Sequence, residues 1–353
     1  MTFIFAGQRL RRLRLTRKSG FRNSSCENEM NPNKTKDFDL RQADCVIYQR
    51  SHPGRSVNTL IRRTFHHLLF LPLLLPVKLS AQDRTIDPTW LHRYVPSVKE
   101  SHADLSSATC HYTPIFGEGD KDNRILRSVS RFGIVTVEVH GNCQSVLYDR
   151  EEEIYFVLHG SGSLQSGGET QPLRANDFTY LAPGVKHGLA NNSGESLRVL
   201  VMGVKIPPRI ALSTAAQHPK IVNLDDVKEE PVQGHPTSVL YKLLAGPRSG
   251  KRDAIDDAYM ITSFFWMDFA PGGTNFPHHH ETAEEIYLVV DGEGEMVAGS
   301  GMDGIEGRFP AKAGDAYYFR PNCTVGFYNQ NKAGAKAHIL AIRAPIPISN
   351  EED

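Results

Sequence analysis

The chain has 353 residues, enough for two domains of ordinary size. Its 40 basic side chains are balanced by 40 acidic ones, so no charge excess points to a nucleic-acid partner over the whole length. Five cysteines with no CxxC pair argue against both a zinc ribbon and a disulfide framework.

Residues 1–56 include QRLRRLRLTRKSGFRNSS, basic and polar with no apolar period, and read as a disordered extension. The simplest account of this extension is a true start further on, near Val57 or Leu60. Residues 57–81 read as a signal peptide. Arg62 and Arg63 form a positive flank, and Leu68–Val77 is an apolar run of h-region length, too short to span a bilayer comfortably. Ser80 and Ala81 supply small residues for cleavage before Gln82, although Leu79 sits where a small residue is preferred. The expectation is an exported protein, periplasmic or secreted, with no membrane span after processing. A short membrane anchor is the alternative. Export would leave Cys110, Cys143 and Cys323, an odd count with at least one thiol free or paired between chains.

Beyond Gln82 the chain repeats itself. EEIYFVLHGSGSL (Glu152–Leu164) returns as EEIYLVVDGEGEM (Glu284–Met296), each a strand, a tight glycine turn and a second strand. NDFTYLAPGVKHGLAN (Asn176–Asn191) returns without gaps as GDAYYFRPNCTVGFYN (Gly314–Asn329). Two blocks in the same order define a tandem duplication of a small β-rich domain. The predicted units are 82–205 and 261–348, joined by a linker and arm over 206–260 with a short helix at most. Many short strands with regular turn signals imply sandwich or barrel domains. Phe264, Phe265 and Trp266 read as strand core. DGEGEMVAGSGMDGIEG lacks the Lys-Ser/Thr and following helix of a phosphate loop and reads as a hairpin.

The second half resembles the cupin family. The family's first motif, G-x5-H-x-H-x3,4-E-x6-G, is met by Gly272, His278, His280, Glu285 and Gly292. The second motif is kept loosely through Gly314, Asp315, Pro321 and Asn329. The first half keeps Glu153, Gly160, Asp177, Pro183, Gly184, His187 and Asn191. The resemblance implies an all-β bicupin: two tandem antiparallel jelly-roll barrels with few short helices, and with dimers or higher oligomers common in the family.

His278 and His280 stand at i and i+2, so on a strand both leave from one face while His279 points away. Glu285 begins the next strand and can bring a carboxylate to the same point. Two histidines and a carboxylate suit Fe, Mn, Ni or Zn as a divalent ion, and these three positions are metal ligands in the resembled family. The family's fourth ligand, a histidine of the second motif, is Val325 here, whereas the first half keeps His187 but has Val146 and Tyr148 at the HxH positions. The metal is therefore expected in the C-terminal half. His187 reads as a hydrogen-bonded histidine inside a barrel, Glu153 as a strand-end carboxylate paired at the surface, and Cys323 as a buried inert thiol. Tyr317, Tyr328 and Asn329 are the candidates for a substitute ligand, a proton donor or pocket lining.

Three ligands leave positions open for substrate, as in dioxygenases, or for Lewis-acid chemistry. The resemblance includes dioxygenases, decarboxylases and a ureidoglycine-type aminohydrolase. The leading expectation is a metal-dependent enzyme acting on a small oxygenated or carboxylated molecule, with dioxygenase-like chemistry slightly favoured. The alternative is a non-catalytic binder of a sugar or small metabolite with a remnant metal site. A purely structural exported protein ranks third. The fold itself does not choose among them.

Overall fold

Period-two alternation of large apolar side chains builds strands from Trp90 to Pro345, and among the described residues three short 3-10 turns interrupt them. The computed structural model describes residues 87–214, 218–300, 305–331 and 334–347. The extension, the signal segment and the cleavage junction lie outside the described residues, and those described belong to one unit, Ser80–Asp353.

The first half comprises β1 (Trp90–Tyr94), β2 (Cys110–Gly117), β3 (Val129–Val137), β4 (Glu151–His159), β5 (Ser161–Ser166), β6 (Glu169–Arg174), β7 (Asp177–Leu181), β8 (His187–Ala190) and β9 (Leu197–Lys205). The connecting stretch adds β10 (Ile221–Asn223), β11 (Glu229–Glu230), β12 (Val239–Pro247) and β13 (Ile255–Ala258). The second half holds β14 (Ser263–Phe269), β15 (Ala283–Asp291), β16 (Glu293–Ser300), β17 (Ile305–Lys312), β18 (Asp315–Phe319), β19 (Cys323–Tyr328) and β20 (Ala337–Pro345).

In each half a large sheet faces a three-stranded one, giving two jelly rolls in tandem. The large sheets run β10-β7-β4-β9-β3-β2 and β1-β18-β15-β20-β14-β12-β11, with β13 attached to β12 in parallel. The small sheets run β6-β5-β8 and β17-β16-β19. The halves trade chain: β1 pairs with β18 of the second jelly roll. The stretch 206–260, read from sequence as linker and arm, instead supplies β10 to the first large sheet and β11, β12 and β13 to the second. Among its described residues the one helical turn is Leu224–Asp226. The Gly-rich run folds as the β16–β17 hairpin, its tip lying outside the described residues. Phe264 and Phe265 are buried on β14, and Trp266 stacks on His338 with ring centroids 5.1 Å apart.

Three cores result. Each jelly roll encloses one, and the third lies where the outer faces of the two large sheets meet, with Phe156 packed edge-on against Phe264. The glutamate doublet of each repeat serves two of these layers. The first glutamate faces the other half. Glu152 accepts the backbone N–H groups of Tyr259, Met260 and Ile261 and the hydroxyl of Tyr180. Glu284 accepts those of Arg127, Ser128 and Val129 and the hydroxyl of Tyr318. The second glutamate, Glu153 or Glu285, points into its own jelly roll because strand side chains alternate.

One sequence expectation is overturned here. Cys110 and Cys143 form a disulfide 33 residues apart in sequence. No short-range spacing could reveal it, since the pairing joins the start of β2 to the segment that follows β3. Cys323 remains a free buried thiol, donating to the Gly299 carbonyl.

Candidate metal centre

His278, His280 and Glu285 do converge: their donor atoms all lie within 4.8 Å of one another. Backbone bonds in both directions between His278 and Val325 anchor the histidine segment across the mouth of the second jelly roll. His279 is exposed, as alternation requires. Phe276 takes a left-handed conformation at φ 54°, strained for a bulky residue, and its carbonyl lies 2.8 Å from His278 Nδ1. A proton held on Nδ1 leaves the Nε2 lone pair for a ligand.

Burial pushes the His278 pKa down, reinforced by His280 and His235 and opposed by the Phe276 carbonyl and Glu285. Its neutral, ligating form is favoured. Burial alone would raise Glu285, but His280, Arg343 and His278 together hold its carboxyl below the usual range. Glu285 Oε2 sits 3.1 Å from His280 Nε2. Donor atoms this close can share a cation, since ligand bonds of about 2.1 Å put neighbouring donors about 3–3.4 Å apart. The residues therefore fit a divalent transition metal.

The second-motif candidates lie elsewhere. Tyr317 is buried beside His92 and Phe319, and its hydroxyl reaches the Pro310 carbonyl at 3.4 Å. Tyr328 lies under the Arg308 guanidinium on the outer face of β19. Asn329 is a turn clamp, its amide nitrogen donating to the carbonyls of Phe269, Ala270 and Ala335. Asn191 does the same in the first half.

What surrounds the triad instead is Arg343, Tyr241 and His235. Arg343 stands opposite Glu285 on β20, with Nη1 3.0 Å from His280 Nε2 and Nη2 3.0 Å from Ser263 Oγ. The His235 ring lies 5.3 Å from that of His278 and 5.3 Å from that of Tyr241. One signal for Arg343 was present in sequence: it is the only charged residue in the otherwise apolar strand AHILAIRAP. Tyr241 and His235 lie in the stretch read as linker and gave none.

The first jelly roll holds the counterpart in altered form. His187 Nε2 lies 2.9 Å from Glu153 and 3.0 Å from the Tyr155 hydroxyl, and Nδ1 faces the Val185 carbonyl. Val146 and Tyr148 occupy the HxH positions, and the Tyr148 hydroxyl donates to Asp104 and accepts from Arg131. The Arg131 guanidinium is ringed by Glu118, Asp104, Glu151 and Glu153 at 2.9–3.7 Å. Glu153 is thus not paired at the surface. It is 1% exposed and shares this buried cluster, because its strand position faces inward.

The cupin-domain family profile matches residues 133–203 and 265–342, one stretch in each jelly roll. The chain is a two-domain member of the cupin superfamily. Among solved structures it resembles the protein Ylba of E. coli, with 14% identity over 76% of this chain and 96% of that one, at a TM-score of 0.54. It also resembles a Lactobacillus farciminis oxalate decarboxylase in complex with formate, with 12% identity over 75% and 88% and a TM-score of 0.54. A third likeness is the bacterial pirin YhhW of Escherichia coli in complex with nickel(II), with 14% identity over 73% and 100% and a TM-score of 0.51. At these identities the likeness is one of fold. The sequence matches no curated protein.

Proposed function

We propose that the C-terminal jelly roll holds a divalent transition metal through His278, His280 and Glu285, and that the protein is an enzyme acting on a small oxygenated or carboxylated molecule. The observation carrying this reading is the convergence of His278, His280 and Glu285, whose donor atoms all lie within 4.8 Å of one another. When bound, such an ion supplies Lewis-acid polarisation and open positions for substrate. The chain's own residues supply the rest. Phe276 fixes the His278 tautomer and Ser263 steadies Arg343. Dioxygenase-type chemistry is favoured over decarboxylation or hydrolysis, because three protein ligands leave room for a second small reactant beside the substrate. The solved relatives bound to nickel(II) and to formate are consistent with a metal and with a carboxylated substrate.

The second reading is a non-catalytic small-molecule binder, favoured by Val325 standing where His187 stands in the first half. Export, with cleavage near Ala81, is supported by the Cys110–Cys143 disulfide, since such bonds persist in oxidising compartments.

The test is elemental analysis of the full chain beside a His278→Ala/His280→Ala double variant. Near-stoichiometric iron, manganese, nickel or zinc that disappears in the variant upholds the enzyme reading and directs the assay. Iron or nickel calls for oxygen consumption, manganese or zinc for decarboxylation or hydrolysis. No metal in the parent, even after reconstitution, hands the lead to the binder.

A further inference from the structure

Each jelly roll sets a guanidinium beside its inward glutamate, Arg131 buried and Arg343 half-buried, and the two are satisfied differently. Arg131 is ringed by four carboxylates and donates to the Tyr148 hydroxyl. The partners of Arg343 are the His280 ring, with Nη1 3.0 Å from Nε2 and 3.4 Å from Nδ1, and the Ser263 hydroxyl. Glu285 acts on it through space. Two rows further in, Tyr241 is 3% exposed, and its hydroxyl has no hydrogen-bond partner. Burial pushes that hydroxyl's pKa up, with Glu285 adding and Arg343 opposing, so it keeps its proton and both charges lie within its electrostatic reach. A buried donor without an acceptor is costly, and an unpaired Tyr241 hydroxyl within electrostatic reach of Arg343 suits an acceptor that arrives.

Resting on the metal reading above, we infer that Arg343 and Tyr241 anchor an anionic substrate, and that this substrate is a carboxylate. A ligand bond to His280 Nε2 uses the lone pair that Arg343 Nη1 now faces, which leaves that N–H in need of another oxygen. Charge balance points the same way. A divalent ion, Arg343 and ionised Glu285 leave a net double positive charge in a largely buried site, and one or two negative charges on the incoming molecule neutralise it. A planar carboxylate matches the guanidinium fork, with the Tyr241 hydroxyl as an additional donor.

The test uses the full chain, zinc-loaded and metal-free, titrated with glycolate and separately with inorganic phosphate, and followed by calorimetry. Zinc content is measured on each sample, and urea midpoints report folding. Glycolate is expected to bind the zinc-loaded parent better than phosphate does. Arg343→Gln should weaken it by about tenfold or more at unchanged zinc content, and Tyr241→Phe by severalfold. Should Arg343→Gln misfold, Arg343→Lys keeps the charge without the fork and should still weaken glycolate. Equal glycolate affinity in a folded, zinc-retaining Arg343 variant overturns the inference, as does phosphate binding as tightly as glycolate, or no glycolate binding by the parent. If the parent takes up neither zinc nor iron, manganese or nickel, the metal reading fails by itself. Glycolate titration of the metal-free chain then decides the anchor: loss in Arg343→Gln upholds it, and no difference overturns it.

Discussion

A single side chain separates the two sites most sharply. His278 pairs with Val325 as Val146 pairs with His187, so the two jelly rolls hold complementary fragments of one ligand set. Val325 is 1% exposed and packed in the second core. Val325→His would return an imidazole to the position it holds in the first half. The expected result is metal retention about tenfold tighter in competition with a chelator, since a fourth protein ligand completes the set. Overpacking sets a cost in stability of about 1–3 kcal/mol. Unchanged or weaker retention would show that the second jelly roll no longer has room for that ligand. At the same scale, Glu151 offers a pH test well away from the metal ligands. Its burial pushes its carboxyl up to about 7, opposed by Arg131 and Ser130 and reinforced by Glu153 and Glu118. A raised carboxyl pKa means that the folded state holds a proton the unfolded state has released. Stability from this group is therefore full below the ordinary carboxyl value and falls as pH rises to about 7. The loss is at most on the order of 3 kcal/mol. Denaturation of Glu151→Gln at pH ~5 and pH ~8 should show a shallower decline than the parent. An identical decline in both would assign the pH dependence to other groups.

At the scale of elements, the glutamate doublets tie the halves together. Glu284 is fully buried, and its carboxylate closes the turn Arg127–Val129 of the other half through three backbone N–H groups. Glu284→Ala would leave those donors without partners, at a cost of at least about 3 kcal/mol, seen as a lower urea midpoint. Glu284→Gln keeps an acceptor oxygen and should cost less. A loss in the alanine variant below about 1 kcal/mol would mean that water satisfies the turn. The doublet also shows where sequence reading succeeds and fails. Alternation and repetition fix β4 and β15, and with them the inward direction of Glu153 and Glu285. The HxH spacing then places two imidazoles on one face. Contacts between elements distant in the chain are another matter. Nothing local tells that Glu284 reaches Arg127, that β1 joins β18, or that Tyr241 of the supposed linker enters the second jelly roll. Arg343 was visible as an odd charge in an apolar strand, but its row opposite Glu285 depends on β15 and β20 pairing.

For the whole molecule, the cysteines and the N-terminal segment make one joint prediction. Of the five cysteines, Cys26 and Cys45 precede the expected cleavage site, while Cys110, Cys143 and Cys323 follow it. The disulfide takes two of the latter three and leaves Cys323 buried as a thiol. Protein taken from its native host should then begin near Gln82. It should titrate one thiol when denatured without reductant and three after reduction. Intact mass and thiol titration of the same sample give both numbers. The two outcomes separate cleanly, because a chain retained in a reducing compartment and left uncut would carry five thiols in either condition. A mass that includes residues 1–81 would remove the export proposal. The proposed metal centre would stand as argued, since it rests on the convergence of His278, His280 and Glu285 in the second jelly roll.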